Sequence, residues 1–549
     1  MCYNVRVWEG VAVKHVVILL AMLLLGVGAE SNAAPGYGQP LSITTGTIYR
    51  VGTAAALQNA VDAVNAAGVA ATILVSNGTY VLNTWALPVT TDRVIIRSLS
   101  GDRDAVVIRG PDEGPSASLE HVFWVTASHV TIADMTFGWC LYHGIQAHGQ
   151  NPYNVAGLRV HNCRIVNCNE QFIKGTSADG DPEGVTDSRV EFCLFEFTNQ
   201  WAYQYYTGGI DIHKAVNWTV RDNLFKYIRA PDDYAEHAIH FYKRNTSRAQ
   251  NVVIERNVIL NCDRGIGFGL GSWADGHEGG TSVIRNNFVY NDGTGPYTDV
   301  GIGLESASSV KVDNNTVVVP YWAPIEYRFS GSSNLVFRNN LVNGNITARD
   351  GAPGPSRSNN QESVQTWWFR NLTNADLRIK PGVTSVIDKG CAILDFAGDI
   401  DGDARPAGGA WDIGADEYDP WSADSNFDGV PDGWYQQYGL NPTSMNVAAQ
   451  NADQDPFTNW DEWVALTSPT DSNSFFHITA VFQLDSFGAT FACSTARIYT
   501  LQYSDSLVPQ AWQGVPGQTN RPGDAGGTMA LTDTAGSSQR YYRVGVSLP

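Results

Sequence analysis

Charge is what this 549-residue chain has least of: Asp, Glu, Lys and Arg make up only 16% of it, and 35 basic residues stand against 55 acidic ones for a net −20. A basic surface able to gather nucleic acid is thereby excluded. The imbalance is also local. Between Asp395 and Asp471 sixteen acidic residues face a single basic one, Arg405, so the rest of the chain is close to neutral. Beyond Val27 no apolar run is long enough to span a bilayer as a helix. The eight cysteines include no close CxxC pair, so no zinc site is expected. With 43% hydrophobic residues, and 54 glycines against 24 prolines, the chain is neither disordered nor collagen-like.

At the N-terminus Arg6 and Lys14 precede the apolar run Val16 to Val27, followed by small-residue sites ending at Ala29 or Ala33. Residues 1–33 read as an export signal, which predicts a secreted, cell-surface or periplasmic protein. Removing Cys2 with that segment leaves seven cysteines, an odd number.

The repeats carry the most information. Val220-Arg-Asp-Asn223, Ile254-Glu-Arg-Asn257, Ile284-Arg-Asn-Asn287, Val312-Asp-Asn-Asn315 and Phe337-Arg-Asn-Asn340 each place an apolar residue three positions before an Asn. The phase continues backward through Val190 to Cys193, Val160 to Cys163 and Ile132 to Met135, at intervals of 25 to 34 residues. One short alternating strand per interval is the mark of a solenoid whose coils stack. Asn at a repeated turn can satisfy neighbouring backbone, and a small thiol can fill the same interior slot. Cys140, Cys168 and Cys262 recur at a second position, so stacked free thiols are expected in preference to disulfides.

Over roughly residues 40–350 these repeats resemble right-handed parallel β-helix proteins of the pectate-lyase-like superfamily. The amphipathic segment Ala54 to Ala66 fits the helix that covers the open end of such a solenoid. The expected fold is therefore all-β: a parallel β-helix over 34–350 with an N-terminal capping helix, then a closing segment over 351–420. That segment holds Asp388-Lys-Gly390, Asp399 to Pro406 and Trp411 to Tyr418 and is read as structural.

Residues 421–475 place oxygen side chains at calcium-loop spacing. Asp424, Asn426, Asp428 and Asp432 take positions 1, 3, 5 and 9 of one loop, and Asn451, Asp453, Asp455, Asn459 and Glu462 take 1, 3, 5, 9 and 12 of a second. Carboxylates so arranged repel one another without a hard cation, and the segment resembles dockerin and thrombospondin type 3 repeats, which implies structural Ca2+. Residues 476–549 alternate as short strands and predict a small β-sandwich.

A second strand recurs in each coil, with Ile145, Ile173, Ile210, Ile239, Ile266, Ile302, Ile325 and Ile346 as its inward residue. Alternation then gives an outer column Gln146, Lys174, Asp211, His240, Gly267, Gly303, Glu326, Thr347, and a second of His148, Thr176, His213, Tyr242, Gly269, Glu305, Arg328, Arg349. Polar groups concentrate in the middle, followed by glycines that would leave a shelf for a ligand. A groove along the solenoid suits an extended polymer, and for an exported chain that polymer is expected to be an acidic polysaccharide, bound by a monomer. Trp201 and Tyr206, in the insertion before Asp211, are expected as groove walls.

Gly209-Ile-Asp211-Ile-His213 resembles the Asp-Pro-His motif of mannuronan C5-epimerases, with Ile212 in place of proline. Phe172-Ile-Lys174-Gly followed by His213-Lys214 is similar to the Lys and Arg pair of alginate lyases and chondroitinase B, without the Arg. These likenesses imply β-elimination on a uronic acid polymer, which needs a base and a group that stabilises the enolate-like intermediate. His213, His240, Tyr242, Lys174 and Asp211 are the expected catalytic residues. Gln146, His148, Lys243, Arg264, Glu305, Glu326 and Arg328 are the expected substrate contacts, with Ca2+ in the groove left open. A C5-epimerase shares the first chemical step, a glycoside hydrolase would need paired carboxylates, and a noncatalytic glycan-binding or adhesion protein is the alternative from another class.

Overall fold

The computed structural model describes residues 2–8, 16–18 and 35–548, apart from 150–153, 178–183, 245–248, 272–274, 373–374, 420–423, 425, 427, 445, 484–485, 509–510, 525–526 and 535–538. Two compact units appear: Ala33–Tyr418, and Asp419–Pro549 with Met1–Asn32.

The first unit is a parallel β-helix. Three parallel sheets of fourteen, ten and ten strands run its length, and successive coils add strands to each in turn. The turn from the first sheet into the second is kept short by a left-handed residue immediately before each repeat position, as at Asp222 (φ 58°), Asn286 (φ 52°) and Asn339 (φ 55°). Asp and Asn tolerate that conformation better than most residues. The next residue points inward and forms an amide ladder. Asn257 Nδ2 donates to Asn287 Oδ1 at 3.0 Å, Asn287 Nδ2 to Asn315 Oδ1 at 2.9 Å, and Asn315 Nδ2 to Asn340 Oδ1 at 3.0 Å. Each side-chain oxygen also accepts the backbone N–H of the coil before it. Cys193 and Cys163 continue the ladder: Cys193 N donates to Asn223 Oδ1 at 2.8 Å and Cys163 N to Cys193 Sγ at 3.4 Å. Cys140 pairs in register with Cys168, and Cys140, Cys163, Cys168, Cys193 and Cys262 are free and buried.

The helix Ala54–Ala67 begins at Thr53, whose side chain accepts from Ala56 N, and ends at Gly68 with φ 62°. Its buried face of Leu57, Ala60, Val61 and Val64 joins the solenoid core at the first coil. Of the segment 351–420, Ser356–Ser358 adds the last strand to the first sheet and Asn360 extends the ladder, and the remainder packs on a flank. Trp368, Phe369, Leu377, Ile379, Val386 and Ile413 cover Phe288, Val318 and Leu341 of the second sheet, because those outward positions are apolar and need a cover. The left-handed turn residues hold it: Asn286 Nδ2 donates to Gly398 O, and Asn314 Nδ2 to Gly414 O.

In the second unit, two antiparallel sheets enclose Phe487, Phe491, Tyr499, Leu501, Leu531 and Val544. The acidic loops are not a free linker, since Val430, Tyr435, Phe457 and Trp460 share that same core. Cys2–Trp8 lies antiparallel to the last strand, Gln539–Ser547.

Candidate functional site

The third sheet aligns Ile145, Ile173, Ile210, Ile239, Ile266, Ile302, Ile325 and Ile346 as one inward column. The neighbouring column runs Gln146, Lys174, Asp211, His240, Gly267, Gly303, Glu326 and Thr347 on the outer face.

Strand stacking brings Lys174, Asp211, His213, His240 and Tyr242 into one network over three coils. Lys174 Nζ donates to Asp211 Oδ2 at 2.5 Å. Asp211 Oδ1 lies 3.5 Å from His213 Nε2 and has no hydrogen bond of its own. The Tyr242 hydroxyl and that same Nε2 share a hydrogen bond of 2.5 Å. His240 Nε2 bonds Gly269 O at 2.9 Å. The rings of His213, Tyr242, His240 and His237 follow one another with centroids 4.5, 4.8 and 4.5 Å apart.

An open groove wall was expected here, but all five expected catalytic side chains are buried. Burial sets their titration. It would raise the Asp211 carboxyl, yet Lys174, His213 and His240 outweigh it and hold the group at about 2. Burial foremost pulls His213 down to about 3, with Asp211 opposing, so its imidazole is neutral and Nε2 is free to accept. The Tyr242 phenol is pushed far up by burial and then by the charges of Asp211, Tyr206 and Glu236.

The open space lies farther along the same sheet. A cleft of about 380 Å³ is walled by Tyr234 and Tyr321, by Arg264, Arg328 and Arg349, and by Glu236, Asp299, Glu305 and Glu326, with Gly303 at its base. Its arginines are already oriented: Arg264 Nε on Asp299 at 2.9 Å, Arg328 on Glu305 at 2.8 Å and Asp350 at 2.6 Å, and Arg349 on Glu326 at 2.8 Å. Burial raises the Glu326 carboxyl against the pull of Arg349. The glycine shelf is only partly open. His237 lies over Gly267, where a Cβ would stand 2.7 Å from its Nε2, whereas Gly303 faces the cleft.

Other expected contacts are placed elsewhere. Gln146 Nε2 and His148 Nδ1 both bond Thr176 Oγ1 at 2.8 Å, and His148 stacks on Trp124 at 5.5 Å, upstream of the network. Lys243 turns away at the strand end and lies 3.7 Å from Glu278. One face of Trp201 is covered by the Arg229 guanidinium at 4.2 Å. Tyr206 remains exposed. Sequence reasoning named Glu236 only as a carboxylate that could complete a hydrolase pair, and gave no role to His237, Asp299 or Tyr321. His237 sits two residues before inward Ile239 and would itself point inward by strict alternation, so strand period hid it.

Three acidic groupings bear on metal binding. Asp453, Asp455 and Glu462 bring ligand oxygens within 4.8 Å of one another, and Asp453 Oδ2, Asp455 Oδ2 and Glu462 Oε2 are buried without a hydrogen bond. Burial and then the two aspartates push Glu462 up to about 8. Such oxygens fit a hard cation. The other expected ligands of that loop are engaged: Asn459 Nδ2 donates to Val447 O at 2.8 Å, and Asn451 Oδ1 accepts from Gln454 N at 2.6 Å. The first loop assembles no such group among the described residues. Asp424 accepts from Asp428 N and Gly429 N, Asn426 donates to Asp428 and to Ser444 O, Asp428 Oδ2 also accepts from Tyr435, and Asp432 opens the helix Asp432–Gln437. Asp399, Asp401 and Asp416 also cluster. Their oxygens are taken by the N–H groups of Asp403, Glu417 and Ile379 and by Arg378, which makes them turn-builders.

No family model matches the sequence, and no curated protein matches it. Among solved structures, a pectate lyase is similar at 15% identity with a TM-score of 0.43, covering 68% of this chain and 97% of its own. An alginate lyase from Paenibacillus sp. strain FPU-7 gives 14% and 0.36, covering 57% and 99%. The A-module of a mannuronan C-5 epimerase from Azotobacter vinelandii gives 14% and 0.30, covering 57% and 95%. The fold assignment rests on the strand register described above. No helix among the described residues is long and apolar enough to cross a membrane.

Proposed function

We propose that the chain is an exported polysaccharide lyase that cleaves an acidic, uronic-acid-containing polymer by β-elimination. The observation that carries this reading is the cleft with three arginines, whose lining residue His237 packs on His240 at the end of the buried Tyr242, His213 and Asp211 network. Elimination begins with loss of the proton next to a carboxylate. Arg264, Arg328 and Arg349 supply the positive charge that holds that carboxylate and the developing enolate. With Tyr242 as donor to His213 Nε2, the proton taken from the sugar C5 by the phenol oxygen is matched by the phenol proton passing to the imidazole, and return of a proton from this pair to the leaving O4 as the C4–O4 bond breaks completes the elimination. Asp211, 3.5 Å from that nitrogen, stabilises the imidazolium that forms. Lys174 keeps Asp211 ionised. In the second unit, Asp453, Asp455 and Glu462 are assigned to structural Ca2+.

A glycoside hydrolase is the second reading, favoured by the raised Glu326 carboxyl, on which the charge of Asp299 acts. One assay separates the two. Incubating the chain with pectate, alginate, chondroitin, hyaluronan, heparan and ulvan should give rising ultraviolet absorbance on one of them, lost in Tyr242→Phe. Shortened chains with new reducing ends and no absorbance would replace the lyase by the hydrolase.

A further inference from the structure

We infer that Glu236, His237 and His240 form a site for a first-row transition metal of the Zn2+ class at the head of the cleft. Each offers one ligand atom, and these lie within 4.8 Å of one another. Ligands about 2.0–2.1 Å from a tetrahedral ion stand a little over 3 Å apart, so modest side-chain rotation closes the group.

Three observations point to a ligand. His237 Nδ1 is buried with no hydrogen bond. The Glu236 carboxylate has no hydrogen bond or ion pair among the described residues, although its backbone is fixed by Glu236 N donating to Thr207 O at 2.7 Å. His240 is 2% exposed and its Nε2 meets Gly269 O at 2.9 Å. A carbonyl only accepts, so Nε2 carries the proton and Nδ1 holds the lone pair. That carbonyl is the kind of outer partner that orients a ligating histidine. The absence of a side chain at Gly267 is what admits the His237 ring.

Donor chemistry selects the ion. Two imidazoles and one carboxylate suit Zn2+, Co2+ or Ni2+ and are poor for Ca2+, which takes oxygen. The cleft lining tolerates the charge, since four carboxylates accompany three arginines. Glu236 and His237 line that cleft, so a coordination position left open by three protein ligands faces the polymer. There the ion would take a sugar carboxylate or hydroxyl. Binding of the metal stands without the elimination reading, and only this last role rests on it.

The test is titration of the full chain with Co2+ in excess Ca2+, which fills the oxygen cluster around Glu462. An intense visible band of four- or five-coordinate cobalt is expected, saturating at about one equivalent and abolished by Zn2+. Glu236→Gln and Gly267→Ala should each weaken Co2+ by roughly tenfold or more, the second by displacing His237 while every ligand is kept. A weak spectrum like that of aqueous Co2+, or affinity unchanged from the parent in both variants, overturns the assignment. Because the readout is spectroscopic, an inactive polymer assay leaves this result intact.

Discussion

The Lys174 and Asp211 pair offers a test that separates chemistry from scaffolding. Its atoms are 2.5 Å apart and both side chains are 7% exposed, so it belongs with buried ion pairs and not with surface pairs worth about 0–1 kcal/mol. Lys174→Met leaves the Asp211 carboxylate in place with only the imidazoles of His213 and His240 near it. Asp211→Asn leaves an ammonium facing an amide. Each single change should cost about 3–5 kcal/mol, because an unpaired buried charge remains. In Lys174→Met with Asp211→Asn no charge is stranded, and most of that loss should return, leaving a deficit of about 1–2 kcal/mol for an imperfectly bonded amide. Urea unfolding of the β-helix transition measures all three against the parent. Activity on the responding polymer should stay lost in the double variant, because the group that stabilises imidazolium at His213 is gone. The reasoning fails if the single changes cost under about 1 kcal/mol, the surface value. It fails equally if activity returns along with stability, which would make the network a strut.

The amide ladder predicts that Asn287→Ala, which removes donors to Ile254 O, Arg285 O and Asn315 Oδ1 and the acceptor for both Asn257 N and Asn257 Nδ2, costs roughly 5 kcal/mol at about 1 kcal/mol per bond. Half-buried Asn360→Ala, where water can substitute, should cost about 1 kcal/mol in the same urea experiment. Asp263 accepts from Ala230 N and Ala235 N, its other oxygen is buried and unbonded, and burial raises it from 3.8 to about 7 against Arg229 and Arg264. A carboxyl raised on folding favours the folded state while protonated, so its penalty grows as pH rises from about 4 to 7, approaching roughly 4 kcal/mol. Asp263→Asn should therefore stabilise at pH 8 and lose that advantage toward pH 4, read by thermal unfolding across pH. Ca2+ should raise the melting temperature of the acidic-loop unit and release about one proton near neutral pH, since Glu462 is held at about 8 without the ion. Glu462→Gln should abolish both effects in calorimetry.

Much of the coil arrangement was legible because its rules are periodic. The isoleucine column could be written from strand alternation, and the Asn positions from a single turn that repeats. What escaped had no period. Lys174, Asp211, His213, His240 and Tyr242 are buried on the outer face even though alternation alone made them exposed. His237 reaches that face by a local break in alternation at a strand start. In the first acidic loop, spacing matched a calcium loop, yet Asn426 and Asp428 spend their polar atoms on Ser444, Tyr435 and each other. Spacing counts the oxygens but does not tell which hydrogen bonds they already make.

The buried thiols have a consequence for how the chain must be handled by the cell. Cys140, Cys163, Cys168, Cys193 and Cys262 are shielded from soluble oxidant once the coils have closed over them, and burial raises the thiols of Cys140, Cys163 and Cys262, which keeps them protonated and poorly nucleophilic. Before closure they are five reactive groups on one extended polymer. In an oxidising compartment the outcome is a race, coil stacking against disulfide formation, and a coil that stacks late exposes its neighbours' sulfur as well as its own. Agents that slow oxidation during refolding should therefore raise the yield of this protein without touching its final stability.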